Sequence, residues 1–344
     1  MRTRTRVVVF AGLVVVCIGV GLAYLVHARS DNPSAGPPTE QTLPPGSGLL
    51  ATIMGEPHVV FSNTERGSNY KHVEVVPLAD RNGPRAVTPL TCDRVAMTNG
   101  MGICLKVDQG VVTTYEGEIF DSSFDVVHHF PLTGLPSRAR VSPDGHWAAM
   151  TVFVRGDSYA GTNFSTRTMF VDTSTGRSIG NLEQFTVTDN GKPVKAVSRN
   201  YWGVTFADDS NHFYATLAVG NDIHLIEGDL QARTAHTIIS GVECPSLSPD
   251  QQHIAYKLRV SGQFSALGWR LHVFDLRTGR DTTLAETRSV DDQVEWLDDG
   301  TVLYSLPHAN QGTPQQDTWA VPSNGTGAPR LFISGSYSPA VSRS

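Results

Sequence analysis

The sequence is short of the residue patterns that announce chemistry. None of its four cysteines stands in a Cys-x-x-Cys pair, and its twelve histidines show no His-Glu-x-x-His or other ligand spacing, so no metal site is expected. The Gly-x-Ser-x-Gly elbow of serine hydrolases is missing too. The nearest Gly/Ser clusters, at 156–160 and 334–338, have the wrong glycine spacing and no helical segment after them, and they read as loops. No cofactor-binding signature occurs, and no cofactor is expected. Only five of the 27 basic residues are lysine, a bias associated with a GC-rich bacterial genome. Outside the first 29 residues, which hold four arginines and no acid, 23 basic side chains face 33 acidic ones, a net of −10. That excess argues against a nucleic-acid partner.

What is present begins with a membrane signal. Arg2, Arg4 and Arg6 precede an uncharged apolar stretch from Val7 to Val26, twenty residues long, which is enough to span a bilayer. The reading is an N-terminal anchor over residues 1–29, with the N-terminus in the cytoplasm because the arginines precede the span. A cleaved signal peptide ending at Ala28, and hence secretion, is the alternative. Cys17 follows Val16 rather than a small residue, which speaks against lipid attachment there. Residues 30–48 are rich in Pro, Gly and Ser and read as a solvated tether, so the remaining domain is 49–344.

Inside that domain the chain repeats itself. "ARVSPDGHWAAMTVF" (139–153), "GVTFADDSNHFYATL" (203–217), "PSLSPDQQHIAYKLR" (245–259) and "QVEWLDDGTVLYSLP" (293–307) each read as strand, acidic turn, strand. Ser142, Asp144 and His146 in the first copy look like the parts of a nucleophilic site. Pro at the second turn position, an Asp that can bond its own backbone and a permissive Gly make them a turn instead. The same hexad resembles a sialidase Asp-box but carries its glycine one position early. Each copy continues into a third strand and a second turn, clearest in "TMFVDTSTGRSIG" (168–180) and "LHVFDLRTGRDTTLA" (271–285). Four strands in 40 to 50 residues is the period of a propeller blade.

"SPDGHWAAM", "SPDQQHIAY" and "VFDLRTGR" resemble the repeats of TolB-type propellers, and the whole arrangement resembles the membrane-anchored TolB-like proteins of actinobacteria over residues 50–344. The resemblance implies an all-β, six-bladed β-propeller behind one transmembrane helix. Residues 57–90 hold only three strands, and "SPAVSRS" (338–344) reads as the missing strand that closes the first blade.

The second blade, 93–130, carries Asn99-Gly100 at its first turn, and His128-His129 sits on an alternating strand surface. Cys92 and Cys104 flank one hairpin in what would be an oxidising compartment, so a disulfide between them is expected, with Cys244 left over. A two-residue Asn99-Gly100 turn sets Val95, not Cys92, opposite Cys104, so the bond demands a longer turn or a bulge.

Function has to be argued from a site rather than from the fold. The first strand of each blade lines the axis, so the segments 91–94, 137–140, 199–203, 242–245 and 290–295 are expected at one mouth of the channel. Arg138, Arg140, Arg199, Tyr201, Trp202, Glu243, Asp291, Asp292 and Glu295 would then share one concavity. The competing interpretation makes them salt bridges and core aromatics between blades. The expected function is non-enzymatic binding or scaffolding in the cell envelope, with an envelope protein, peptide or glycan as partner. A propeller hydrolase or lyase acting in the channel is the alternative.

Overall fold

The structure is a computed structural model that describes residues 48–154, 165–196, 198–262, 265–308 and 315–343. The expected span 7–26, Cys17, most of the tether and the Gly/Ser cluster at 156–160 lie outside the described residues. Among the described residues no helix is long and apolar enough to cross a membrane.

After a short helix α1 (Leu49–Met54), the chain forms six antiparallel sheets. Blade 1 holds β1 (His58–Asn63), β2 (His72–Pro77) and β3 (Ala86–Thr91). Blade 2 holds β4 (Arg94–Thr98), β5 (Met101–Gln109), β6 (Thr113–Asp121) and β7 (Val126–Pro131). Blade 3 holds β8 (Leu135–Val141), β9 (Trp147–Val154), β10 (Ser165–Asp172) and β11 (Ser178–Asn181). Between it and the next blade lie a 3-10 turn (Leu182–Gln184) and two short strands, β12 (Thr186–Asp189) and β13 (Lys192–Pro193). Blade 4 follows with β14 (Arg199–Phe206), β15 (His212–Val219), β16 (Asp222–Asp229) and β17 (Thr234–Ser240). Blade 5 holds β18 (Glu243–Leu247), β19 (His253–Gly262), β20 (Ser265–Asp275) and β21 (Asp281–Thr283). Blade 6 holds β22 (Glu295–Asp298), β23 (Thr301–Pro307), β24 (Gln316–Pro322) and β25 (Arg330–Ile333). The last strand, β26 (Ser336–Ser342), pairs with β1 as the innermost strand of blade 1. The C-terminal closure expected from "SPAVSRS" is therefore present.

The innermost strands β26, β4, β8, β14, β18 and β22 pack against one another in that order and back to β26, which closes the ring. Each blade is covered on both faces by its neighbours, so its second strand reads as a near-continuous apolar run, as in "WAAMTVFV". Apolar clusters fill all six joints, one in each except that between blades 4 and 5, which holds two. The largest, between blades 3 and 4, centres on Phe170, Phe185, Phe206 and Phe213.

The Ser-Pro-Asp-Gly stretch is architecture. Asp144 Oδ1 accepts hydrogen bonds from Ser142 Oγ at 2.6 Å and His146 N at 2.9 Å, and Gly145 takes φ +77°. These turns also hold one another. Asn99 Nδ2 donates to the Asp144 carbonyl, Asp144 N to Ser210 Oγ, Asp208 N to Gln251 Oε1, and Asp250 N to Asp299 Oδ1. That chain of bonds links the turn ends of blades 2 to 6.

Three features differ from the sequence reading. β12 adds parallel to β17 and carries β13 outside it, so the sheet of blade 4 has six strands. The 334–338 cluster is no mere loop, since β26 starts within it. The disulfide Cys92–Cys104 forms with a Cα–Cα distance of 5.4 Å and without the bulge that was demanded. The Asn99-Gly100 hairpin has the regular register, with Val95 opposite Cys104. Cys92 reaches its partner from the crossover between blades 1 and 2, where its N–H is bonded to the Lys71 carbonyl and the chain doubles back. Cys244 is free and buried. The His128-His129 surface alternates as expected.

Candidate functional site

Side chains stand normal to a sheet. The innermost strand of a blade therefore turns its backbone edge to the axis and its side chains toward the two adjacent blades. The nine residues expected at the mouth are sorted accordingly rather than gathered. The lead-in segments also lie inside strands, since β8 already starts at Leu135 and β14 at Arg199.

Arg138, Asp291 and Asp292 do meet at the mouth. Arg138 Nη2 stands 3.6 Å from Asp291 Oδ1, and its Nε donates to Cys244 Sγ. Asp292 is buried and accepts from Arg94 Nη1 at 3.0 Å and from Ser305 N at 3.3 Å. The Arg94 guanidinium lies over the Tyr337 ring, 4.2 Å from its centroid. Asp291 also binds Lys257 Nζ, which stands 4.4 Å from the centroid of the Trp269 ring. Burial opposes the ionisation of Asp291, but the Lys257 ammonium, with Arg138 and Arg94 behind it, outweighs that and holds the carboxyl below its usual range.

Arg140 and Glu295 form a second layer. From blade 3, Arg140 crosses the axis to the opposite blade, donating to Glu295 Oε2 and the Val294 carbonyl, and it reaches Ser246 Oγ of blade 5 at 3.1 Å. Gln293 Nε2 bridges the carbonyls of Val204 and Pro245 at 2.9 and 3.0 Å. The crevice left beside Arg138, Arg140, Met150 and Gln293 has no space for a water-sized sphere. At this level side chains thus bond across the axis. Close approach of the inner strands needs Gly203, at φ +68°, where a Cβ would stand 2.7 Å from Cys244 Cα.

The other four residues lie elsewhere. Tyr201 is fully buried in the joint between blades 3 and 4. Arg199 donates to the carbonyls of Val194 and Glu183 at 3.2 and 3.3 Å. Trp202 packs on Ala218, Ile223 and Cys244 between blades 4 and 5. Glu243 accepts from Trp269 Nε1 at 3.2 Å, with Arg259 Nε at 3.5 Å. The expected single concavity is corrected to an axial group and three separate joints, because parity along a strand decides the direction of each side chain.

Sequence reasoning missed Arg94, Lys257 and Tyr337. Lys257 carries a usable signal, a lone lysine inside the apolar run "HIAYKLRV", since a buried charge demands a partner. It also missed Glu183, whose Oε2 is buried without a hydrogen bond. Burial pushes this carboxyl up to about 7 against the opposing bond from Thr168 N and the nearby Arg167 and Arg199. Among the described residues, no cluster of three or more His, Cys, Asp or Glu could hold a metal ion.

These features define a six-bladed β-propeller whose axis is crossed by ion pairs. No protein-family model matches the chain, and no curated protein matches it. Solved structures do. TolB from Acinetobacter baumannii superposes with a TM-score of 0.57 at 16% identity, covering 86% of this chain and 69% of that one. The structure described as the Nidogen/Laminin complex gives 0.55 at 10% identity, covering 83% and 98%. An oligogalacturonate lyase in complex with manganese gives 0.47 at 9%, covering 74% and 72%. At these identities the likeness concerns the fold alone.

Proposed function

We propose that this chain is a non-enzymatic binding or scaffolding protein of the bacterial cell envelope. It presents the mouth of its propeller axis to an envelope protein, peptide or glycan. The observation that carries this reading is the side-chain bonding across the axis. Arg140 and Glu295 tie opposite blades together, Gln293 bridges blades 4 and 5, and the crevice beside Arg138, Arg140, Met150 and Gln293 has no space even for a water-sized sphere. The Nidogen/Laminin structure, a complex between proteins, shares the fold, which is compatible with a protein-binding role without assigning one.

The chain path adds an orientation. His58 pairs with Ser342 at the turn end of blade 1, so residues before β1 join the propeller on the side opposite the mouth. The test is a photo-crosslinking amino acid placed in the full chain in membranes, at Arg259 near the mouth or at Thr175 on a turn-end loop. A discrete adduct from position 259 and none from 175 is the expected result. Adducts from 175 alone would put the partner on the other face and overturn the reading.

A further inference from the structure

We propose that the mouth is a carboxylate-exchange site, and that its partner is an acidic peptide segment flanked by apolar residues which displaces Asp291. This inference rests on the binding reading above and names the chemistry of the partner. Three cations converge on the mouth, Arg94, Arg138 and Lys257, and their side chains are 12%, 10% and 4% exposed. Two carboxylates answer them, and the two are held differently. Asp292, 3% exposed, is fixed from below by Arg94 and by the backbone of Ser305. Asp291 is 57% exposed and is held only by Lys257 and, more distantly, Arg138. It covers buried cations from the solvent side, in the place where a carboxylate from outside would sit. Without it the mouth carries three positive charges against one negative. Buried cations of this kind are already desolvated, so a carboxylate that replaces Asp291 incurs only its own desolvation and regains charge-assisted hydrogen bonds.

The same end of the propeller carries the apolar component. Of the large hydrophobic side chains that are exposed, Tyr70, Val111, Val112 and Leu135 all lie in loops or strand starts on the mouth side. Val111 and Val112 tip the β5–β6 hairpin, which continues beyond the last pair with β4, Arg94 with Leu105, as far as Gln109 and Thr113. Lys71 pairs with Asp93 at 2.6 Å, and Asp93 accepts from Val107 N, so Tyr70 and the hairpin are neighbours. Apolar side chains at the same end of the propeller as the cationic socket fit a peptide with an acid between hydrophobic residues better than a polyuronate, which offers carboxylates without apolar side chains.

The test measures binding to the detergent-solubilised full chain. The probes are an end-capped pentapeptide with one Asp between two Phe and two Leu, the same peptide with Asn, and polygalacturonate. The Asp peptide is expected to bind at least tenfold more tightly than the Asn peptide. Asp291→Asn should strengthen the Asp peptide about tenfold and leave the Asn peptide unchanged. Adding Lys257→Gln to that variant should abolish the discrimination. Asparagine at 291 keeps an oxygen that can accept from Lys257, so Asp291→Asn is the milder of the two changes and decides the matter alone. Equal binding of both peptides to Asp291→Asn would overturn the exchange site, and polygalacturonate competing as well as the Asp peptide would overturn the peptide assignment. If position 259 still crosslinks a partner that the Asp peptide cannot displace, this inference fails and the binding reading stands.

Discussion

The two ends of the propeller axis are held by different physics. At the turn end, neighbouring blades are joined by side chains bonding to backbone or to one another, Asn99 to Asp144, Asp144 to Ser210, Asp250 to Asp299, all near the surface. At the mouth and deeper along the axis, ions bond between blades, Arg94 to Asp292 at the mouth and Arg140 to Glu295 in the layer below it. Short polar turns need only local sequence, so every blade can supply its own. Cross-axis ion pairs need partners from blades far apart in sequence, and they form only when the ring is complete. The turn end therefore reports how blades are built, and the mouth reports how the ring is closed.

The hardest break in that closure is removal of residues 338–344. It deletes the pairs Val59 with Val341 and Val60 with Ala340, the bonds of Ser338 to Val95, and the bonds of Arg343 to the carbonyls of Trp296 and Leu297. With the inner edge of β1 stripped of most of its partner and the apolar joints on both sides of blade 1 opened, several kcal/mol are lost, and the melting temperature of the full chain should fall by ~10–20 °C. A truncation ending at Tyr337 that melts with the intact protein would mean that the ring closes without β26.

A sharper cut separates the two mouth carboxylates. Asp292→Asn leaves Arg94 buried and unpaired and should destabilise by about 3–5 kcal/mol. Asp291→Asn removes a carboxylate that is 57% exposed but leaves Lys257, 4% exposed, with only a neutral amide oxygen to bond, and should cost less, about 1–3 kcal/mol. Urea unfolding of the two variants measures the difference. Equal losses would show that the burial difference between these neighbours has no energetic meaning.

How far the sequence foretells these features follows from the same distinction. The turns were legible, because Ser-Pro-Asp-Gly and Asn99-Gly100 specify their conformations within four residues, and their spacing specifies the blades. The closing strand was legible because "SPAVSRS" repeats the opening of another blade. β12 and β13 were not, since "TVTD" and "KP" belong to no repeat and are placed by pairing with β17, a contact across 48 residues. The mouth was legible as a neighbourhood but not as a site. Trp202 and Glu243 differ from Arg138 by strand parity, and a one-residue uncertainty in where a strand begins reverses every side chain on it.

The smallest expected effect sets the two kinds of polar group against each other through pH. At the turn end, burial works to raise the carboxyls of Asp144 and Asp250, but bonds from Ser142 and His146, and from Ser248 and Gln252, outweigh it and lower both. A folded value below the unfolded one means that this stabilisation is complete above the unfolded pKa, near 4, and is lost as pH falls through the lowered folded value. Asp144→Asn should cost about 1 kcal/mol at pH 7, as expected for one set of side-chain-to-backbone bonds at the surface, and should flatten the acid limb of stability against pH. Glu183, buried between blades 3 and 4 and pushed up to about 7, has the opposite sign. Its folded form binds the proton more tightly than the unfolded chain, so its ionisation destabilises increasingly as pH rises from the unfolded value, near 4, to about 7. Melting curves from pH 2 to pH 8 should therefore show Glu183→Gln gaining on the unmodified chain between about pH 4 and pH 7, while Asp144→Asn gains on it only below about pH 4. Parallel curves for Glu183→Gln would show that its buried Oε2 finds a partner when ionised, and the contrast between the surface turns and the interior joints would then rest on the axial ion pairs alone.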